Sequence, residues 1–427
     1  MQTGPDKMGH LGMNTPYVFP RSCRVLAPAG GFASPLALLR QFLRNCSLDE
    51  CEQFLVQSFG AQRAVVFSSG KHALFALFQA LRKRTTLPNI GMSAYTCPDI
   101  AAAALRAGFK VFPLEIEAKT LELNVSLLHK GREDLAAVVL SNLYGLADSL
   151  ANLKEALQGT KCFVIDDGCQ SALSRTEEGW LGARLGTIGV LSFGRGKAIC
   201  GTGGGALVFA HGTGPDAELI SPAGTMPDGI SHSSLEITKQ FVLSVAMWML
   251  EHPLLYRIPA SVPLLKLGAT APTLEFSCSS CLPLHAIQAV IQLKAREKTR
   301  DLLLARARQW HEQLRNTSRI RPLIEPFIER GCTFAGSVVP IRYPVVFSDS
   351  HTRDMVWRRL QEQGLGASLS YPALLAEYPE ISRGVVENPT PVAKNIAQRI
   401  LTLPVHRYVR TSDIERGSRL FGEADLL

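Results

Sequence analysis

Between Ala64 and Phe209 the chain alternates short apolar runs with longer stretches of helical periodicity. Ala64-Val-Val-Phe67, Asn89-Ile-Gly-Met92, Lys110–Ile116, Ala136-Ala-Val-Val-Leu140 and Cys162-Phe-Val-Ile165 read as short buried strands. Val190-Leu-Ser-Phe193 and Ala206-Leu-Val-Phe209 read as a further pair. Helical rhythm fills His72–Arg82 and Ile100–Ala107. Such alternation predicts an α/β fold, a mostly parallel sheet with helices on both faces. Ligands of such sheets gather beyond the carboxyl ends of the strands. Upstream, Leu36–Phe59 is helical in rhythm, with Ser47-Leu-Asp-Glu50 as a capping box, after a lead-in rich in Pro and Gly. From about Pro283 the texture changes. A long charged helix over Leu284–Arg315, strand-like Val338–Arg342 and Tyr343–Phe347, and a helix over Thr352–Gln363 predict a smaller α+β unit. The expected organisation is an irregular arm over 1–35, a large domain over 36–282 and a small domain over 283–427.

An insert at about 237–268 interrupts this pattern. Phe241-Val-Leu-Ser-Val-Ala-Met-Trp-Met-Leu250 is apolar until Glu251-His252-Pro253 stops it. The run falls short of the ~20 residues that span a bilayer. Leu254–Leu265 is apolar again and broken by prolines. Two readings stand: a buried helix with a covering loop, or a surface at 241–265 that touches a membrane or a lipid-linked substrate.

Composition narrows the class. With 427 residues, 46% hydrophobic and 19% charged, the chain is globular in type. Its net charge is +8, yet Lys and Arg are dispersed and no basic run is interleaved with aromatics. That argues against a nucleic-acid partner and suits small anionic ligands. The N-terminus lacks a basic region followed by an apolar core, so no secretory signal is expected and a cytoplasmic enzyme is, with peripheral contact to the inner membrane face as an addition. The ten cysteines are scattered and expected to be reduced. Cys278-Ser-Ser-Cys281 is a lone CxxC, and a structural zinc wants four ligands, so no metal is expected.

The candidate chemistry sits mid-chain. Phe163-Val-Ile-Asp-Asp-Gly-Cys-Gln170 is followed by Ser192-Phe-Gly-Arg-Gly-Lys-Ala198 and the cluster Gly201-Thr-Gly-Gly-Gly205. A strand ending in acid and a lysine in a glycine-punctuated turn suit pyridoxal 5'-phosphate. The acid would keep the pyridine nitrogen protonated, and the lysine would form a Schiff base with the cofactor aldehyde. Asp166 and Asp167 compete for the first role, because a strand alternates sides and only one can face the ring. Ser192 ends an apolar run where a hydroxyl can reach a phosphate. Ser68-Ser-Gly-Lys-His72 lies where a strand turns into a helix, a natural anion site.

In this order the motifs resemble the DegT/DnrJ/EryC1/StrS family of sugar aminotransferases, of the type I pyridoxal phosphate fold, from about Leu36 to Phe421. Ser69-Gly-Lys-His-Ala-Leu74 resembles the family's SGTxAL turn, Ala94-Tyr-Thr-Cys-Pro98 its AYTFP loop and Asn142-Leu-Tyr-Gly145 its HLYG. Val164–Gln170 resembles VIEDAAQ, Ser192–Lys197 SFxxxK, and Arg399–His406 RxLSLPxH. The resemblance implies Lys197 as the Schiff-base lysine and proton shuttle, with Asp167 on the ring nitrogen. It places Gln170 near the ring hydroxyl, Ser192 with the Gly70-Lys71 turn on the phosphate, and Tyr95 and Cys97 against the ring. It further implies a homodimer that moves an amino group from glutamate or glutamine to a nucleotide-linked keto-sugar. Relatives that dehydrate carry histidine at the lysine position. The chain departs from the pattern at Lys71 (usually Thr), Cys97 (often aromatic), Asn142 (usually His) and Ser280–Leu284, where YNYRM is usual. These departures, with the apolar insert, open two alternatives: a non-nucleotide or lipid-linked carbonyl acceptor, and a scaffold without turnover.

Overall fold

The computed structural model describes residues 17–44, 47–128, 131–213, 232–265, 271–334 and 336–425. The first sixteen residues of the expected arm, Cys46 and the 266–268 end of the expected insert lie outside them.

The apolar runs form a seven-stranded sheet of order β1-β9-β8-β5-β4-β2-β3. Its strands are β1 (Arg63–Phe67), β2 (Asn89–Ser93), β3 (Lys110–Leu114), β4 (Leu135–Ser141), β5 (Phe163–Asp167), β8 (Ile188–Ser192) and β9 (Gly205–Phe209). The strands β2, β3, β4, β5 and β8 run parallel, while β9 pairs antiparallel with both β8 and β1. The two-residue strands β6 (Arg175–Thr176) and β7 (Gly179–Trp180) make a small hairpin between β5 and β8. Every residue of β4 is buried, as a strand covered on both faces requires.

The helices α1 (Pro35–Phe42), α2 (Leu48–Phe59), α3 (Gly70–Arg82), α4 (Pro98–Arg106) and α5 (Leu150–Ala156) belong to this body. The predicted capping box holds at α2: Ser47 accepts from the Glu50 amide and Glu50 from the Ser47 amide. Beyond β9 come α6 (Ser234–Leu250) and α7 (Arg257–Ala260). The expected helix in the insert forms, but it is not a buried one, since Ser244 alone among its seventeen residues is buried.

The predicted long helix is two, α8 (Pro283–Lys294) and α9 (Arg296–Leu314), broken at Ala295, whose φ of -92° and ψ of 4° leave the helical region. A second sheet follows, all antiparallel, of order β10 (Ile320–Pro322), β11 (Arg342–Phe347), β12 (Ile400–Pro404). Around it lie α10 (Glu325–Glu329), α11 (Ser350–Glu362), α12 (Pro391–Arg399) and α13 (Thr411–Asp425). The stretch before β11 is no strand. Val339 and Ile341 spend their amides on Ser174 Oγ (2.8 Å) and the Tyr144 carbonyl (2.9 Å), so this segment stitches the two sheets together. The lead-in is irregular, as expected, yet anchored: the Val25 amide donates to Pro253 and the Leu26 amide to Gly364.

Candidate active site

The ends of β1, β5 and β8 and the start of β9 converge, and the sequence motifs sit on those ends. At β5 the two acids part company. Asp166 is fully buried and accepts from Arg184 Nη2 at 2.8 Å and Nε at 3.0 Å, from Asn142 Nδ2 at 2.7 Å and from the Gly182 amide at 2.8 Å. With Arg184 equally buried, this charge-assisted fork is a closed structural unit. Burial works against the Asp166 charge, but Arg184 and the other donors outweigh it and hold its pKa below the usual carboxylate value.

Asp167 alternates to the other side. Its Oδ1 accepts from the Cys169 amide at 3.0 Å, and the cation it faces is Lys197. Burial pushes its pKa up, with Lys197 pulling the other way. The ammonium of Lys197 is itself desolvated, which alone would lower its pKa. Negative charge on Cys97 and Cys169, when ionised, and on the Asp167 and Asp99 carboxylates prevails, and the Lys197 pKa lies above the ordinary lysine value. The turn bearing Lys197 is fixed by its own amide on the Gly194 carbonyl (3.3 Å) and by the Ala198 amide on the Cys169 carbonyl (3.2 Å).

The turn at Ser68–Lys71 meets β8 and β9. A Cβ added to Gly70 would come within 2.8 Å of Ser192 Cβ, and one added to Gly205 within 2.4 Å of the Gly70 amide nitrogen. Only glycines allow this approach, which brings the first-turn amides of α3 beside the Ser192 hydroxyl. The Ser69 side chain caps α3 through the His72 amide (3.1 Å). Lys71 does not aim its ammonium into this cradle: it pairs with Asp99 at 2.5 Å and donates to Thr273 at 3.2 Å. What Lys71 brings to the turn is its backbone.

Gln170 lies between two tyrosines, accepting from the Tyr144 amide (3.0 Å) and donating to Tyr371 Oη (2.7 Å). Tyr95 is buried, shares a 2.6 Å hydrogen bond with the Tyr144 hydroxyl and meets Tyr371 edge-on at 6.0 Å. Cys97 is the N-cap residue of α4 and is half-buried, with Lys197 and Asp167 among the charged groups around it. All eight sequence-predicted residues therefore meet at one end of the sheet. Sequence reasoning missed Arg184 and Tyr371, which no spacing or motif marks. Asn142 and Tyr144 stand inside a quoted motif without an assigned role. A separate cleft of about 590 Å³, lined by Arg21, Glu362, Arg416 and Glu423 among others, lies outside this cluster. The described cysteines are all free, and no metal-ligating group occurs among the described residues.

The model of the DegT/DnrJ/EryC1/StrS aminotransferase family matches residues 40–220 and 283–417. The chain belongs to that family, an enzyme family of aminotransferases. No curated protein matches the chain. Among solved structures it is similar to a DegT DnrJ EryC1 StrS aminotransferase from Brucella abortus, at 18% identity and a TM-score of 0.68, covering 91% of this chain and 94% of that one. It is also similar to PseC of Helicobacter pylori, an aminotransferase of pseudoaminic acid biosynthesis, at 14% identity and a TM-score of 0.71, covering 94% and 99%. A third is E. coli GDP-4-keto-6-deoxy-D-mannose-3-dehydratase with bound hydrated PLP, at 14% and 0.70, covering 93% and 99%. At these identities the likeness shows the fold, the type I fold expected from the sequence.

Proposed function

We propose that the chain is a pyridoxal phosphate-dependent aminotransferase that carries an amino group from glutamate or glutamine to a nucleotide-linked keto-sugar. The observation that carries this reading is the desolvated Lys197 ammonium paired electrostatically with the buried Asp167 carboxylate, at the same end of the sheet as the Gly70–Ser192 cradle. The residues fit the cofactor: an amine for its aldehyde, a carboxylate for its ring nitrogen and a cradle that any Cβ would fill for its phosphate. When bound, it supplies an electron sink for breaking a bond at the amine-bearing carbon.

The protein's residues do the rest. Asp167 stays ionised beside a cationic ring nitrogen, because an opposite charge offsets the cost of its burial. The Ser192 hydroxyl and the Gly70 and Lys71 amides, at the positive end of α3, neutralise phosphate charge. Gln170, fixed by Tyr144 and Tyr371, would hold the ring hydroxyl. With the cofactor bound, Nζ of Lys197 would move the proton of the donor's amine-bearing carbon, and on the acceptor the same amine would move a proton in the opposite direction. Lysine at this position favours transamination over dehydration. A homodimer in the cytoplasm, serving surface-polysaccharide or secondary-metabolite sugars, belongs to the same proposal and rests on the family resemblance. A lipid-linked carbonyl acceptor is the second reading, favoured by the apolar insert at 237–268.

Purified protein should absorb in the visible through the lysine-linked cofactor, and glutamate should bleach that band. Lys197→Ala should lack it. A visible band that neither glutamate nor glutamine bleaches would sink the aminotransferase reading and leave cofactor binding standing. An unchanged band in Lys197→Ala would sink the lysine assignment.

A further inference from the structure

Fourteen of the seventeen large apolar side chains exposed among the described residues lie in three neighbouring segments. These are the lead-in with α1, then α6, then α7 with the residues flanking it. Leu43 is 73% exposed, Leu235 62%, Val242 60%, Leu254 60%, Ile258 62% and Leu264 87%. α1 packs beside α6, and Tyr17 Oη donates to the Ala260 carbonyl at 3.0 Å, so the segments form one region. A surface that concentrates the exposed apolar side chains in this way marks an interaction site.

α6 is built inside out. A surface helix normally buries its apolar stripe and shows a polar face. Here the one buried residue is Ser244, which accepts from Gln288 Nε2 at 2.8 Å and lies 3.3 Å from Thr202 Oγ1. Phe241 also packs inward. At the end of the helix Glu251 is buried, pairs with Arg407 and accepts from the Gly31 and Phe32 amides at 2.8 and 3.2 Å. Polar contacts thus fasten the helix to the body, while Leu235, Val242, Leu243 and Met249 face out.

The charge on this face is net positive. Residues 17–44 contain no Asp or Glu. Arg40, Arg44, Lys239 and Arg257 lie on the same segments as the apolar side chains, against the exposed carboxylate of Glu236, which is engaged in its own helix cap. A second copy meeting this face through a two-fold axis would set these cations against their own copies. An anionic lipid surface complements both the apolar and the basic groups. The family model matches residues 40–220 and 283–417, so α6, α7 and most of α1 lie outside the matched residues. No described helix is long and apolar enough to cross a membrane.

We propose that α1, α6 and α7 form a docking face for an anionic lipid bilayer, lying in its interface. The lead-in that continues this face also touches the catalytic turn, since a Cβ on Gly196 would lie 3.2 Å from that of Ala29. Docking would therefore place the bilayer on the side of the protein where the lead-in meets the Lys197 turn.

Vesicle flotation of the cofactor-loaded protein tests this, with phosphatidylcholine alone and mixed with phosphatidylglycerol. The expected result is binding to the mixed vesicles that weakens as salt is added, and little binding to the neutral ones. Lys239→Glu with Arg257→Glu should weaken binding by about tenfold or more, as one basic residue near an anionic surface is worth roughly a fivefold factor. Val242→Glu with Leu243→Glu should abolish it, with the visible cofactor band and melting temperature unchanged to certify the fold. Absence of flotation with the mixed vesicles overturns the proposal, as does flotation that neither double variant reduces. Self-association in sedimentation velocity that Val242→Glu with Leu243→Glu abolishes, without vesicle binding, assigns the face to a second copy instead.

Discussion

Asp166 and Asp167 are adjacent and do opposite work, because successive residues of a strand point to opposite sides. Asp166 faces Arg184 inside the body, and Asp167 pairs electrostatically with Lys197. Asp166→Asn should therefore leave the buried Arg184 with only Glu178, 3.5 Å from its Nη1, as an ion-pair partner, and cost about 3 kcal/mol, read as a lower urea midpoint. Asp167→Asn should leave the midpoint nearly unchanged and cut turnover by roughly 10²-fold or more, read as initial rates with saturating cofactor. The acid pair was legible as a motif, and the resemblance pointed to its second member. The fork that turns Asp166 inward was not, because Arg184 lies eighteen residues away with no periodicity linking the two. Tyr371 was hidden in the same way, 201 residues from the Gln170 it holds.

Among elements, the strands of the large sheet were the easiest to read, since apolar runs bounded by glycine and polar turns have few other uses in an alternating chain. Less legible were places where tertiary partners overrule local preference. Val338–Arg342 has strand composition, but Ser174 and Tyr144 take the hydrogen bonds a neighbouring strand would have needed. The 241–250 run has the composition of a core helix and stands on the surface, fixed by Ser244 and Glu251. The junction of β1 with α3 was readable as an anion turn, though its dependence on β9 was not. A methyl at Gly205 would strike the Gly70 amide nitrogen at 2.4 Å. Gly205→Ala should thus push α3 off Ser192 and weaken cofactor binding by about tenfold or more, measured by titrating apoprotein. Lys71→Thr, which loses an ammonium pointed at Asp99, should change that affinity by less than about threefold.

For the molecule as a whole, three buried histidines set the acid limit. His72, His285 and His406 are each held down to about 4, chiefly by burial, from an ordinary value of 6.5. Folded, they stay neutral; unfolded, they take protons below pH 6.5. Their contribution is complete above that pH and is lost as pH falls toward 4. The urea midpoint should decline steadily across this window, and His406→Gln should make the decline shallower. His406 also locks distant parts together, as its Nε2 donates to the Ala27 carbonyl at 2.8 Å and its Nδ1 accepts from the Tyr408 amide at 3.3 Å.

The anchored lead-in sets a timetable for folding during synthesis. Arg24 forks onto Asp413 at 2.6 and 2.7 Å across 389 residues, and its neighbours bind Pro253, Gly364 and His406. A ribosome adding roughly 5–20 residues per second needs some tens of seconds to travel from the first of these residues to the last. During that interval the large sheet can already be assembled, while the lead-in has only its earliest partner to hold. The last step of maturation is then a closing of the beginning of the chain onto its end, and a stalled or shortened chain that stops before Asp413 would emerge with its catalytic strands in place and Arg24 without its carboxylate partner.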